Sequence, residues 1–304
     1  MHPAKRWFAA ALALHGGWRV FPPRPVGPVA DFVTRLAARA GGGPVALGVD
    51  VPIGLPRAYV VQHVKDAADF PTFLRELASR PQFFSVCESL SEISPERPFY
   101  PARSQRGLTR AAHATALLLP GAAALSRAAD RATAERPAGA PLFWTLGANQ
   151  SGKAAIAAWR DLLLPALAAG TLRLWPFEGD FRRLLAPGRV AIAETYPAEG
   201  LRQLGLRLRG SKRRQADRAA LAPDIEGVLA RLVTTPTRAM GRALRSGFGP
   251  DAAGEDRFDC TIGLLAVLNV LAGNRPDGTP DDPWLRRFEG WILGQTALPR
   301  AAHG

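Results

Sequence analysis

Cysteine is scarce in this chain: among 304 residues there are two, Cys87 and Cys260. Two cysteines cannot form the disulfide framework of a small secreted domain, and no Cys/His cluster has the spacing of a zinc site. We therefore expect a reducing, cytoplasmic setting. No apolar stretch approaches the roughly 20 residues that a membrane-spanning helix needs, so we expect no membrane partner.

Lysine is equally scarce, although the chain is strongly basic with a formal net charge of +13. Lysine occurs four times and the other 35 basic residues are arginines. A basic balance favours an acidic partner such as nucleic acid or a phosphate-bearing ligand. An arginine-rich chain with many alanines, glycines and prolines is also typical of a GC-rich genome, so charge alone leaves nucleic-acid binding open.

The first 21 residues fit two interpretations. Lys5 and Arg6 precede a short apolar run, as in a secretory signal. Alternatively, 6–14 is a strand, 15–17 a turn and 18–21 the returning strand of a β-hairpin. We favour the hairpin because the apolar run is short and the residues after the turn have strand character.

Strands alternate with helices along the rest of the chain, which predicts one domain over 1–304 with a mixed α/β sheet and flanking helices. Residues 57 to about 140 are less regular and are predicted as a largely helical insertion packed over the sheet. It contains a basic loop with Phe99 and Tyr100, and an alanine-rich stretch broken at Pro120 and Gly121. The predicted strands are 45–49, 171–177 and 189–194, and the predicted helices are 29–40, 151–170, 211–232 with a break at Pro223, and 255–273.

Four acids fall at the ends of predicted elements. Asp50 and Glu194 each close an apolar strand before a proline turn, and Asp256 and Asp259 share one face of a helix start. If the fold gathers these carboxylates, they repel one another unless a cation such as Mg²⁺ or Mn²⁺ neutralises them. Two such ions about 4 Å apart can drive phosphodiester hydrolysis. The alternatives are a helix cap for Asp256 and a turn former for Asp50.

The stretch FWTLGANQSGKAAI, at 143–156, has the glycine and lysine spacing of a nucleotide-binding P-loop. Gly147, four residues, Gly152 and Lys153 match the motif, but Ala154 stands where the motif has Ser or Thr. Alanine has no hydroxyl for Mg²⁺. A nucleotide-binding phosphotransferase or ATPase is therefore an alternative with an incomplete motif.

The chain resembles the bacterial family called domain of unknown function 429, which is predicted to contain RNase H-like nucleases. The segments that carry the resemblance are GVDVPIGLP (48–56), FWTLGANQSGKAAI (143–156), AETYPAEGLRQLGL (193–206) with GSK (210–212), EDRFDCTIGLLAVL (255–268) and FEGWILGQ (288–295). The resemblance implies an RNase H-like mixed sheet with an opening hairpin. It also implies an acid cluster of Asp50, Glu194, Asp256 and Asp259.

A nuclease site of this kind assigns roles to further residues. Asp50, Glu194 and Asp259 would hold the metal, and Lys212 would contact a phosphate as a point charge, next to Arg213. In the family signature at 143–156, the start of a helix attracts anions through its free N–H groups. The residues expected to face a nucleic-acid phosphate there are Asn149, Gln150 and Lys153.

One departure from the pattern bears on activity. RNase H-like nucleases usually carry an aspartate on the first strand, and the predicted strand at 6–14 has no acid. The expected position falls near His2 or before Met1. Either the start has been assigned too late and the aspartate is missing from this version, or His2 replaces it, or the protein no longer cuts. A non-catalytic nucleic-acid-binding protein is thus the second alternative.

Overall fold

The structure is a computed structural model that describes residues 6–104, 108–147 and 151–300, and it is a mixed α/β fold with small sheets. The first sheet begins with the predicted hairpin. Strands β1 (Trp7–Leu14) and β2 (Gly17–Pro25) pair antiparallel around a tight turn, in which Gly16 has a φ of +79°. β2 continues beyond the predicted end at residue 21. A short strand from the C-terminal half of the chain, β6 (Thr234–Pro236), pairs parallel to β2 and is the third strand of this sheet.

The second sheet is parallel and holds the strand ends that matter for the site. Its order is β3 (Val45–Val49), β5 (Val190–Glu194) and β4 (Leu172–Leu174). β5 lies in the centre and is buried at every position. β3 lies at the edge and is half-buried throughout, although its near-continuous apolar run is typical of a strand buried on both faces. Val49 pairs with Glu194, which places the ends of β3 and β5 side by side.

The helices are mostly short. Their bounds are α1 Phe32–Arg39, α2 Arg57–His63, α3 Phe70–Glu76, α4 Arg110–Ala116, α5 Ser151–Ala158, α6 Leu164–Ala168, α7 Pro197–Gln203, α8 Gln215–Ala220, α9 Ala222–Arg231, α10 Arg238–Arg245 and α11 Gly254–Leu271. A π-helical turn, Trp159–Leu163, joins α5 to α6, and another spans Leu285–Glu289. The helices at 29–40, 151–170 and 255–273 are thus confirmed in type, with shifted ends.

Helix α11 organises the interior. It is 18 residues long, contacts β1, β3 and α7, and carries buried residues along its whole length. Glu255 and Asp256 stand in its first turn, where a negative charge favours the helix dipole. It ends before Gly273, whose φ of +83° stops the helix as predicted. No helix in the described ranges is long and apolar enough to cross a membrane.

Two local predictions need correction. The alanine-rich stretch is broken near Gly121 as expected. Beyond α4, however, it forms short 3₁₀ turns and no further α-helix in the described residues. The break in 211–232 falls at Leu221, not Pro223. Pro223 lies in the first turn of α9, where a residue without an N–H loses no hydrogen bond.

Residues 57–140 pack onto the second sheet through the largest hydrophobic cluster of the described residues. Phe99 and Tyr100, from the basic loop, are 0% and 3% exposed. Phe99 makes edge contacts with Phe83 and Phe143. These aromatic rings therefore belong to the core and are not available to stack on bases.

The turn after β3 depends on a glycine. Gly54 has a φ of +129°, and a Cβ there would lie 2.1 Å from the Glu289 carbonyl oxygen. We expect Gly54→Ala to lower the free energy of unfolding by about 2–4 kcal/mol, since strain and overlap add. The matched control is Gly227→Ala on an exposed face of α9, where a Cβ meets nothing within 4 Å. Urea unfolding should show the control unchanged or up to about 1 kcal/mol more stable; equal effects of the two changes would contradict the prediction.

Candidate functional site

A cavity of about 780 Å³ lies at the ends of β3 and β5. Its walls come from these strand ends, from the first turns of α5 and α7, from α11 and from residues 129–140. Five of the predicted site residues line it: Asp50, Lys153, Glu194, Lys212 and Asp259. The structure thus brings together residues separated by more than 200 positions in the sequence.

Asp50 directly follows β3, and its side chain is accessible to water from the cavity. Its carboxylate accepts no hydrogen bond from any residue that the structure describes. The side chain is exposed to the cavity, and the protein atoms around it displace part of the solvent. This desolvation raises the pKa of Asp50 to about 7; Asp259 adds to the rise and Lys212 opposes it.

Asp259 lies one turn into α11 and is held by Lys212. The Nζ of Lys212 donates to its Oδ2 over 2.6 Å and lies 3.3 Å from Oε1 of Glu255. The other oxygen, Oδ1, is buried and has no hydrogen-bond partner in the described ranges. Burial raises the pKa of Asp259 to about 6, with Lys212 opposing. Two carboxyl groups with unfilled lone pairs thus face one cavity.

Glu194 has a different partner from the predicted metal ion. The fully buried Arg127 donates from Nη1 to Oε2 over 2.7 Å and from Nη2 to Oε1 over 2.8 Å. Oε2 also accepts the backbone N–H of Ile53 at 2.8 Å. Arg127 binds Asp130 as well, over 2.8–3.0 Å. Both oxygens of Glu194 are therefore engaged by a fork-like ion pair, the strongest geometry for such a pair.

The remaining predicted metal ligand is Asp256, which lies outside the cavity wall. Asp256 is in the first turn of α11 and does not line the cavity, although its charge raises the pKa of both Asp50 and Asp259. Across 6–104, 108–147 and 151–300, no three His, Cys, Asp or Glu side chains form a group that could hold a metal ion. The predicted four-carboxylate cluster is therefore not assembled, since Arg127 takes Glu194.

The predicted phosphate-binding residues also divide into those that line the cavity and those that do not. Arg213 is 78% exposed, with its Nε 3.9 Å from Glu255, and does not line the cavity. Lys153 lines it from the first turn of α5 and is half-buried. Asn149 and Gln150 lie outside the described residues. Their predicted contact with phosphate stays a prediction.

Sequence reasoning missed two arginines at the site. Arg127 and Arg136 stand in the alanine-rich stretch, where nothing local marks them as buried. Arg136 is 7% exposed, lines the cavity and lies over the ring of Tyr196 at 5.6 Å. The sequence carries no signal that separates these two arginines from Arg110 and Arg131 in the same segment.

Gly152, one of the two glycines of 143–156, serves packing. A Cβ on Gly152 would lie 2.8 Å from Cγ2 of Thr145 and 2.9 Å from the carbonyl oxygen of Trp144. The N–H of Gly152 donates to that carbonyl over 3.1 Å. Close approach of α5 to the preceding strand-like segment therefore explains the glycine without a bound nucleotide.

Comparison with known proteins identifies a family and nothing narrower. The family model described as "Protein of unknown function (DUF429)" matches residues 3–283, most of the chain. No curated protein and no solved structure matches the chain. The resemblance stated from the sequence segments is thereby confirmed at the level of the family.

The ion pair of Arg127 predicts a large stability effect. Arg127→Met leaves two buried carboxylates unpaired, which should lower the free energy of unfolding by about 3–5 kcal/mol near neutral pH. Burial already raises the pKa of Glu194, and losing Arg127 raises it further. A carboxyl group whose pKa is raised in the folded state contributes stability at pH below its unfolded pKa. That contribution is lost as the pH rises through its folded pKa.

The loss should therefore be smaller at about pH 5 than at about pH 8 in urea unfolding. The control is Arg103→Met, which removes an ion pair whose side chains are 77% and 62% exposed and should cost less than about 1 kcal/mol. A deficit in Arg127→Met that does not change with pH would contradict this account of the pair.

Asp50 predicts a pH window for stability. Its pKa is raised from 3.8 to about 7, so the protonated form favours the folded state, and that stabilisation is lost as pH rises from 3.8 through 7. Asp50→Asn cannot ionise, so its melting temperature should match the wild type at acid pH and exceed it increasingly up to about pH 7. Exposed Asp66→Asn is the control and should show no such window. Parallel melting curves for wild type and Asp50→Asn at every pH would refute the shift.

Proposed function

The chain belongs to the DUF429 family, and we propose that it is a metal-dependent nuclease, hydrolysing phosphodiester bonds in DNA or RNA on an RNase H-like sheet. The observation that carries the proposal is the pair Asp50 and Asp259. Both line one cavity that also contains Lys153 and Lys212; the carboxylate of Asp50 and Oδ1 of Asp259 have no hydrogen-bond partner in the described residues.

The donor set fits a hard divalent cation. Asp50 and the free Oδ1 of Asp259 would hold Mg²⁺ or Mn²⁺, which prefer carboxylate oxygens. When bound, such an ion supplies a Lewis acid next to the phosphate and lowers the pKa of a coordinated water. Burial is the main cause of the raised pKa of both carboxyl groups, and neighbouring acids add to it; a bound cation would offset both effects.

The chain's own residues would orient these groups. Lys212 holds Asp259 through a 2.6 Å hydrogen bond and lends a positive charge to the cavity. Glu194, bound to Arg127, accepts the N–H of Ile53 and so fixes the turn that follows Asp50. In this proposal Glu194 is a positioning residue and Asp50 is a metal ligand.

The RNase H-like part of the proposal rests on the adjacent ends of β3 and β5 and on the placement of the acids there. Parallel strands β3 and β5 end side by side, with Asp50 just beyond one and Glu194 closing the other. The chemistry of α/β sheets is commonly placed at this edge. The position near His2, where such nucleases carry a further aspartate, lies outside the described residues.

A non-catalytic nucleic-acid-binding protein is the second candidate. The engagement of Glu194 by Arg127 favours it, because fewer carboxylates remain for a two-metal site. The phosphotransferase alternative has less support, since packing accounts for Gly152 and Ala154 has no hydroxyl.

The test is cleavage of end-labelled single-stranded DNA, duplex DNA, RNA and hybrid with Mg²⁺, with Mn²⁺ and with a chelator. We expect metal-dependent cleavage that falls at least about 100-fold in Asp50→Asn and in Asp259→Asn. Glu226→Gln, an exposed acid on α9, is the matched control and should cleave like the wild type.

Two outcomes would overturn the proposal. Cleavage that survives both substitutions would show that the two acids do not carry it. Salt-sensitive binding with no cleavage of any substrate would establish the non-catalytic alternative instead.

A further inference from the structure

We infer that Arg136 and Lys153 form a subsite for a phosphate monoester, so that the cavity takes the phosphorylated terminal nucleotide of a single strand. The inference rests on the proposed function, because it assigns the substrate class of that same cavity. Neither residue is used to hold the metal, and both line the cavity.

Arg136 is a buried cation without an ion pair in the described ranges. It donates to the carbonyl oxygens of Ala129 and Pro137 and, over 3.0 Å, to Oε1 of Gln295, all of them neutral acceptors. Its Nε has no hydrogen-bond acceptor. Buried charges are normally paired, so a guanidinium left in this state indicates that an anion completes it.

Glu199 interacts electrostatically with Arg136 but cannot neutralise it by itself. Glu199 is close enough for Arg136 to lower its pKa. However, the carboxylate of Glu199 also lies 3.4 Å from Nε of Arg202 and 3.9 Å from Nη2 of Arg275. Arg202 also forms an ion pair with Glu135, so three guanidinium groups share two carboxylates, and positive charge remains in excess at this wall.

Lys153 adds a second uncompensated cation. It is half-buried in the first turn of α5, and no described residue forms an ion pair or a hydrogen bond with its ammonium group. The positive end of the α5 dipole adds to its field. Two such charges match a phosphate monoester, which carries about −1.5 to −2 at neutral pH, better than a diester with a single charge.

The dimensions of the cavity select a strand end over a duplex. A volume of about 780 Å³ is that of a pocket for one drug-sized ligand. Duplex recognition instead buries roughly 1,000–2,500 Å² of open protein surface. Residues 129–140 and the first turn of α7 wall the cavity, so a terminal nucleotide enters while a duplex stays outside.

The binding test needs no cleavage. Calorimetry without metal compares deoxyadenosine 5′-monophosphate, deoxyadenosine 3′-monophosphate and deoxyadenosine, with inorganic phosphate as competitor. We expect at least one monophosphate to bind at least about tenfold more tightly than the nucleoside, and phosphate to compete. Arg136→Met and Lys153→Met should each lose at least about tenfold, Arg136→Lys should retain most of the affinity, and Arg103→Met should change nothing.

Equal affinity for nucleoside and monophosphates overturns the inference. So does unchanged affinity in Arg136→Met that melts cooperatively; if that buried substitution prevents folding, half-buried Lys153→Met decides in the same way. Inorganic phosphate that binds as tightly as the nucleotides, without a contribution from the base, refutes the terminal-nucleotide assignment.

Cleavage assays then separate this inference from the proposed function. Linear single strands with a 5′-phosphate, a 3′-phosphate or only hydroxyl ends are compared with a circular single strand and a blunt duplex. Faster cleavage of one phosphorylated linear strand supports the inference. Equal cleavage of the circle overturns it while the nuclease stands, whereas monophosphate binding without any cleavage overturns the nuclease and leaves the phosphate subsite.

Discussion

The buried guanidinium of Arg127 ties together the parts of the chain that form the cavity. It joins Glu194 at the end of β5, Asp130 in the alanine-rich stretch and the carbonyl oxygen of Ile53 in the turn after β3. A buried charge cluster is favourable only when nearly every donor and acceptor is satisfied, so its geometry is narrowly defined. That requirement fixes the turn next to Asp50 and brings residues 129–140 over the strand ends.

Pairing of Glu194 by Arg127 determines the charge that is left in the cavity. Glu194 and Asp130 both bind Arg127, so the cavity carboxylates without an arginine partner are Asp50 and, held by one lysine, Asp259. Arg136 and Lys153 are left as uncompensated cations on other elements. Acidic and basic groups are thus separated within the cavity, and none of these charges would have to move to bind the phosphate and the cation proposed above.

Local sequence patterns predicted elements well and their surroundings poorly. The hairpin, β3, β5 and α11 follow from apolar periodicity, from turn residues and from Gly273. The half-buried state of β3 does not, because strand order decides which strand lies at an edge. The candidate site shows the same difference. Asp50 and Asp259 could be selected because they stand at the ends of elements. Arg127 could not, because it is 67 residues from Glu194 and nothing in its local sequence indicates the contact.

The glycine and lysine of 143–156 show why a matching motif can have two separate causes. Gly152 is required because α5 approaches the backbone of Trp144 and Thr145 too closely for a Cβ. Lys153 does not take part in that packing and instead lines the cavity. A P-loop needs both residues for one phosphate, together with a hydroxyl that Ala154 lacks. Here packing explains the glycine while the lysine lines the cavity, so their spacing does not by itself indicate a nucleotide-binding loop.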